Sequence, residues 1–99
     1  MYAASPEELE TLIEDAVIRA DVDAIADLLC ADVLMADGGW VVGRGEVARA
    51  LAASDYFAAE RCLMLVRDVA IVANDRRVDV CCREVTGSWR LGASITLRA

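Results

Sequence analysis

The last third of the chain limits its architecture most. Residues 63–73, 76–85 and 88–98 are three extended runs separated by the turn signals Asn74-Asp75 and Thr86-Gly87, the pattern of a β-meander. In the final run Trp89, Leu91, Ala93, Ile95 and Leu97 alternate with Arg90, Gly92, Ser94, Thr96 and Arg98, so a period of two sends each set to its own face. The run before it sets Val78, Val80, Cys82 and Glu84 against Arg77, Asp79, Cys81 and Arg83, and residues 62–66 are apolar throughout. A sheet this apolar needs cover on both faces. Helices can cover one; a second layer, most economically a second copy of the chain, suits the other.

The helices come first in the chain. Ser5 is placed as an N-cap, with Pro6 at the first helical position and Glu8 closing a capping box. Leu9, Leu12, Ile13, Ala16 and Val17 then recur with helical spacing, giving one face for a core. Asp21 or Asp23 can start a second, short helix whose Val22, Ile25, Leu28 and Leu29 form one stripe. Residues 32–36 change to a short apolar strand, and Asp37-Gly38-Gly39 before Trp40-Val41-Val42 reads as a tight hairpin. Gly43-Arg44-Gly45 breaks it. Glu46 is expected to open a third helix with Val47, Ala50 and Leu51 turned inward, ending near Ser54, and Asp55, Tyr56 and Phe57 connect it to the meander.

Composition excludes several classes. Ninety-nine residues with 58% hydrophobic content make one domain, 1–99, that buries roughly 60–70% of its unfolded surface. No apolar run reaches the roughly 18–20 residues of a membrane span, and residues 1–6 lack a basic region and apolar stretch of a secretory signal. The expectation is a cytoplasmic protein with no membrane contact. The net charge of −7 disfavours nucleic acid, which asks for a basic face. Acids crowd residues 1–37, where Arg19 is the only base, as solvated helix faces do.

The four cysteines, Cys30, Cys62, Cys81 and Cys82, form no C-x-x-C pair, and the chain has no histidine. Structural zinc is therefore not expected, nor any other metal or cofactor. Reduced, buried thiols fit best, with Cys81 and Cys82 on opposite faces of a strand. Lack of histidine also removes the usual base for serine or cysteine nucleophiles.

The order helix, helix, hairpin, helix, meander resembles the nuclear-transport-factor-2-like α+β cone, which includes ketosteroid isomerase and the SnoaL-like polyketide cyclases. The residues carrying the resemblance are Asp21 and Asp23 at the second helix start, the pair Leu28 and Leu29, Gly43, Arg44 and Val47 opening the third helix, and Ser88-Trp89-Arg90-Leu91 in the closing strand. It covers nearly the whole chain and implies three N-terminal helices packed on a curved antiparallel sheet with a cystatin-like fold. It also brings Asp37 onto the position of the isomerase general base, in the loop after the first strand. The matching oxyanion donors, a tyrosine and a protonated aspartate in that enzyme, have no counterpart: the helix-one position falls near Ile13, and the last strand has no aspartate. Without them the larger electrostatic part of enolate stabilisation is missing, so steroid isomerisation is not expected.

Two functions remain open at this point. The first is binding of a small apolar ligand, with isomerase or cyclase chemistry using Asp37 as base; Val17, Met35, Trp40, Tyr56, Leu63, Val80, Glu84 and Trp89 would then line the pocket. Each has a plainer alternative: Asp37 as the acid of a turn, Trp40 and Trp89 as core or rim aromatics, Glu84 as a strand-end acid, Tyr56 as a solvent-facing loop residue. The second is a pocketless dimerisation or regulatory module. In either case a homodimer through the outer face of the sheet is expected.

Overall fold

The computed structural model describes residues 2–54, 56 and 60–97. Their elements run α1 (Pro6–Ile18), α2 (Val22–Asp27), β1 (Leu29–Ala36), β2 (Trp40–Val42), α3 (Arg44–Ala52), β3 (Cys62–Val66), β4 (Val69–Ala73), β5 (Arg77–Arg83) and β6 (Trp89–Thr96). The expected connection at Asp55 and Phe57, and Arg98 at the end of the last strand, lie outside the described residues.

Local chemistry explains the helix boundaries. Ser5 Oγ accepts the Glu8 amide at 3.1 Å, and Glu8 Oε1 accepts the Ala4 amide at 3.1 Å, one residue before the Ser5 amide that a capping box would use. Of the two possible starts for α2, Asp21 is the cap, its Oδ1 accepting the Ala24 amide at 3.1 Å. The third helix begins at Arg44, two residues before Glu46, because Gly43 at φ 94° turns the chain into it, a conformation that costs a residue with a Cβ. Val47, Ala48 and Leu51 are buried on its inner side and Ala50 is half-buried.

Six strands form one sheet in the order β2-β1-β6-β5-β4-β3. Every pairing is antiparallel except β1 with β6, which is parallel, so the sheet is mixed where an antiparallel one was expected. Strand β1 starts at Leu29, three residues earlier than the apolar run suggested, because Leu29 pairs with Leu91. The run at 63–73 is two strands, hinged at Arg67-Asp68, where Arg67 adopts φ 54°. Asp68, in the same turn, pairs with Arg83.

All three helices contact β1 or β6 or one another over one face. There Leu9, Ile13, Ile25, Leu28, Val47 and Leu51 meet Leu29, Val33, Met35, Cys81 and Leu91 in a core with essentially no solvent exposure.

The regular alternation expected in β6 is broken at Gly92. Cys81 pairs with Leu91 while the preceding Val80 pairs with Ala93, leaving Gly92 without a partner, a bulge that flips the following side chains. Leu91 is buried before it; after it Ser94 is buried and Ile95 is exposed. Directly paired residues share a face, so β5 turns Arg77, Asp79 and Cys81 inward, opposite Thr96, Ser94 and Leu91, and turns Val78, Val80 and Cys82 outward. The outer face thus gathers Trp40, Val42, Leu34, Ile95, Ile71, Val69, Met64 and Val66, all exposed. No helix of the described residues is long and apolar enough to cross a membrane. The four thiols are free: Cys81 is buried, Cys30 and Cys82 are half-buried and Cys62 is exposed, contrary to the expectation that all would be buried.

Candidate functional site

The inward row of β5 places a carboxylate where a core side chain would be expected. Asp79 is 1% exposed, and Glu10 on α1, three residues before the buried Ile13 and therefore on the same helix face, is 4% exposed. Tyr56, between α3 and β3, completes the cluster at 4%. Its hydroxyl lies 2.7 Å from Asp79 Oδ2 and is hydrogen-bonded to Glu10 Oε2.

The proton count in this cluster follows from elementary valence. A phenol has one proton, so it donates to one carboxylate at a time, and the second contact needs a proton on a carboxyl. Glu10 holds that proton. Burial, and next the Asp79 charge, push its carboxyl from 4.5 up to about 8, against the opposing pull of the Tyr56 hydrogen bond and the Arg61 charge. Tyr56 itself is held well above the usual phenol range by burial and by the charges of Asp79 and Glu10. Arg61 lies 3.6 Å from Glu10 Oε1 and 3.8 Å from Glu14 Oε2, and the Arg77 guanidinium stacks on the Tyr56 ring, 4.4 Å from its centroid.

These groups form the inner wall of a cleft of about 590 Å³. Val72 and Ala53 give it a small apolar portion, and Asp37, Asp75 and Arg76, all exposed, stand at its mouth. Its floor has unused hydrogen-bonding capacity: Asp79 Oδ1 and Thr96 Oγ1 are buried without a partner, as are Arg77 Nε and the nearby Ser94 Oγ. Buried polar atoms in folded proteins almost always have a partner, ordered water included. Among the described residues no group of three or more His, Cys, Asp or Glu could hold a metal ion.

Of the residues expected at a pocket, the cleft brings together Asp37 and Tyr56. Asp37 is in the turn after β1, its amide donating to Gly39 O at 3.0 Å. Val17, Met35 and Trp89 are core residues, because their faces of α1, β1 and β6 meet the other helices. Trp40, paired with Ala36 and 76% exposed, and Val80, paired with Ile71 and Ala93, point to the outer face. Leu63 is half-exposed on the edge strand β3. Glu84 is bonded to Arg90 Nε at 2.5 Å beyond the opposite end of β5 from Arg77.

Glu10, Arg61, Arg77 and Asp79 were not legible as a site. A signal did exist for one of them: Glu10 interrupts the apolar stripe of α1, whereas Asp79 lies in the mostly charged row Arg77, Asp79, Cys81, Arg83, which the structure turns inward.

No family model matches the chain, and no curated protein matches it by sequence. Solved structures do match in fold. A candidate ketosteroid isomerase from Shewanella frigidimarina superposes with a TM-score of 0.76 at 14% identity, over 96% of this chain and 95% of that one. The S. rosetta CaMKII hub gives 0.75 at 15% identity, over 98% and 99%. An NTF2-like protein with a cystatin-like fold from Novosphingobium aromaticivorans gives 0.70 at 15% identity, over 90% and 76%. Identities this low speak for the fold alone: the chain has the nuclear-transport-factor-2-like, cystatin-like α+β fold.

Proposed function

We propose that the chain binds a small carbonyl-bearing molecule in the cleft, its oxygen against the Glu10–Tyr56 end, with Asp37 at the mouth as the base for a proton on the neighbouring carbon. The observation that carries this reading is the buried Glu10–Tyr56–Asp79 cluster at the inner wall of the cleft. A carboxylic acid that keeps its proton at neutral pH can turn that proton from the Tyr56 oxygen to a developing oxyanion while Tyr56 goes on donating to Asp79. A carboxyl poised near neutrality is also where proton transfer is most effective. A strongly shifted group in a cleft is a candidate functional group. The cleft is polar, so the ligand carries polar groups rather than being the wholly apolar molecule first expected. The fold shared with a candidate ketosteroid isomerase is consistent with proton abstraction beside a carbonyl.

The test uses methyl 4-oxopentanoate in deuterated water, following loss of the ketone α-protons by NMR. Wild type is expected to accelerate exchange over buffer, and Asp37→Asn to remove the acceleration with the melting temperature near wild type. Exchange at the buffer rate in wild type would overturn the reading.

A second reading, a homodimer through the sheet, is favoured by the outer face. Trp40, Val42, Met64 and Val66 are each more than 60% exposed there, beyond what scattered surface apolar residues explain. Sedimentation across a concentration series tests it.

A further inference from the structure

Three arginines of the described residues are half-buried: Arg61, Arg77 and Arg90. Arg61 lies against the protonated Glu10 and pairs with Glu14, and Arg90 pairs with Glu84. Arg77 has no ion pair among the described residues, although it lines the cleft and the chain carries an excess of acids. Its guanidinium is fixed on the Tyr56 ring, and its Nε is buried without a partner. A partly desolvated guanidinium held in one orientation and lacking a counter-ion is a preorganised fork for a planar anion. The carboxylates around it do not fill that role. Asp79 Oδ2 faces the Tyr56 hydroxyl, Glu10 keeps its proton, and Asp37 and Asp75 lie at the exposed mouth.

We infer that the cleft takes a short-chain keto acid, its carboxylate on the Arg77 guanidinium and its ketone oxygen at the Glu10–Tyr56 end. The inference deepens the proposed function and rests on it for the ketone end. The spacing limits the ligand to a small one, because the guanidinium lies on the face of the same ring whose hydroxyl marks the other end. Thr96, paired with Arg77 across the strands, brings a hydroxyl with unused hydrogen-bonding capacity to the same wall.

The probes are 4-oxopentanoate, its neutral methyl ester and inorganic phosphate, with affinities taken from NMR titration of the intact protein at pH 7. A charged hydrogen-bonded contact predicts that the acid binds about tenfold or more tightly than the ester. Arg77→Gln is expected to bring the acid down to the level of the ester, and Arg77→Lys, which keeps charge without the fork, to retain part of the preference. If Arg77→Gln does not fold, the lysine variant decides, and an undiminished preference there overturns the fork. Equal affinity for acid and ester in wild type overturns the carboxylate site while leaving the ketone end standing, provided Tyr56→Phe weakens both. Acid binding that depends on Arg77 but is indifferent to Tyr56→Phe keeps the carboxylate site and removes the ketone end. Phosphate competing as strongly as the acid means a general anion hole and overturns the keto-acid assignment. No binding of either organic probe at about 10 mM overturns both readings.

Discussion

The Tyr56 hydroxyl and Asp79 Oδ2, 2.7 Å apart, join the segment after α3 to the inward face of β5. Glu10 shares the same hydroxyl, so a single phenolic oxygen ties together α1, that segment and the sheet. Tyr56→Phe removes this tie while keeping the ring beneath Arg77. The two carboxyls, both nearly buried, would lose their common partner, at a cost of about 1–3 kcal/mol. Urea denaturation is expected to show that loss with little change in slope.

Glu10 also makes stability depend on pH in a defined direction. Its carboxyl is raised from 4.5 to about 8 in the folded chain, so between those values the native state holds a proton that the unfolded state has released. This contribution is complete below about pH 4.5 and is lost as pH rises through about 8. At ~1.4 kcal/mol per pKa unit the change is a few kcal/mol. Denaturation midpoints between pH 5 and 9 should fall with rising pH in wild type, and the slope should flatten in Glu10→Gln, which cannot ionise.

Gly43 and Gly39 separate conformation from space. A Cβ meets nothing within 4 Å at either position, but Gly43 sits at φ 94° where it opens α3. Gly43→Ala is expected to destabilise by about 1 kcal/mol or more through backbone strain, and Gly39→Ala to be near neutral. Thermal melts of the two variants check this.

Ile71 lies on β4 beside Met64 and Val80 on the outer face and is 40% exposed. If a second copy covers this face, Ile71→Lys should shift the sedimentation profile to monomer at concentrations where wild type is dimeric. The folded monomer itself should change by no more than about 0.5 kcal/mol, as surface substitutions usually do.

Periodicity and capping made much of the fold legible. The stripe Leu9, Ile13, Ala16 and Val17, the caps at Ser5 and Asp21, the Asp37-Gly38-Gly39 hairpin and the turns at Asn74 and Thr86 all act within a few residues, where spacing alone dictates the geometry. The third helix begins two residues before Glu46 because Gly43 acts through its own backbone angle, which no neighbouring residue type announces.

The site was another matter. Asp37 was visible because a turn and a resemblance both point at it, and Tyr56 because it is one of few aromatics. Glu10, Arg77 and Asp79 were hidden in elements that read as ordinary helix and strand. Their meeting depends on which face of β5 turns inward and on a bulge at Gly92 that moves Ser94 rather than Ile95 to the inside. Sequence by itself determined most of the elements and their order, since those follow from local propensity and period, but not the split of residues 63–73 into two strands. Only the tertiary structure decided that a phenol and two carboxyls, drawn from three separate elements, would share protons in a cleft: burial and long-range pairing, not sequence neighbours, set their distances and their charge.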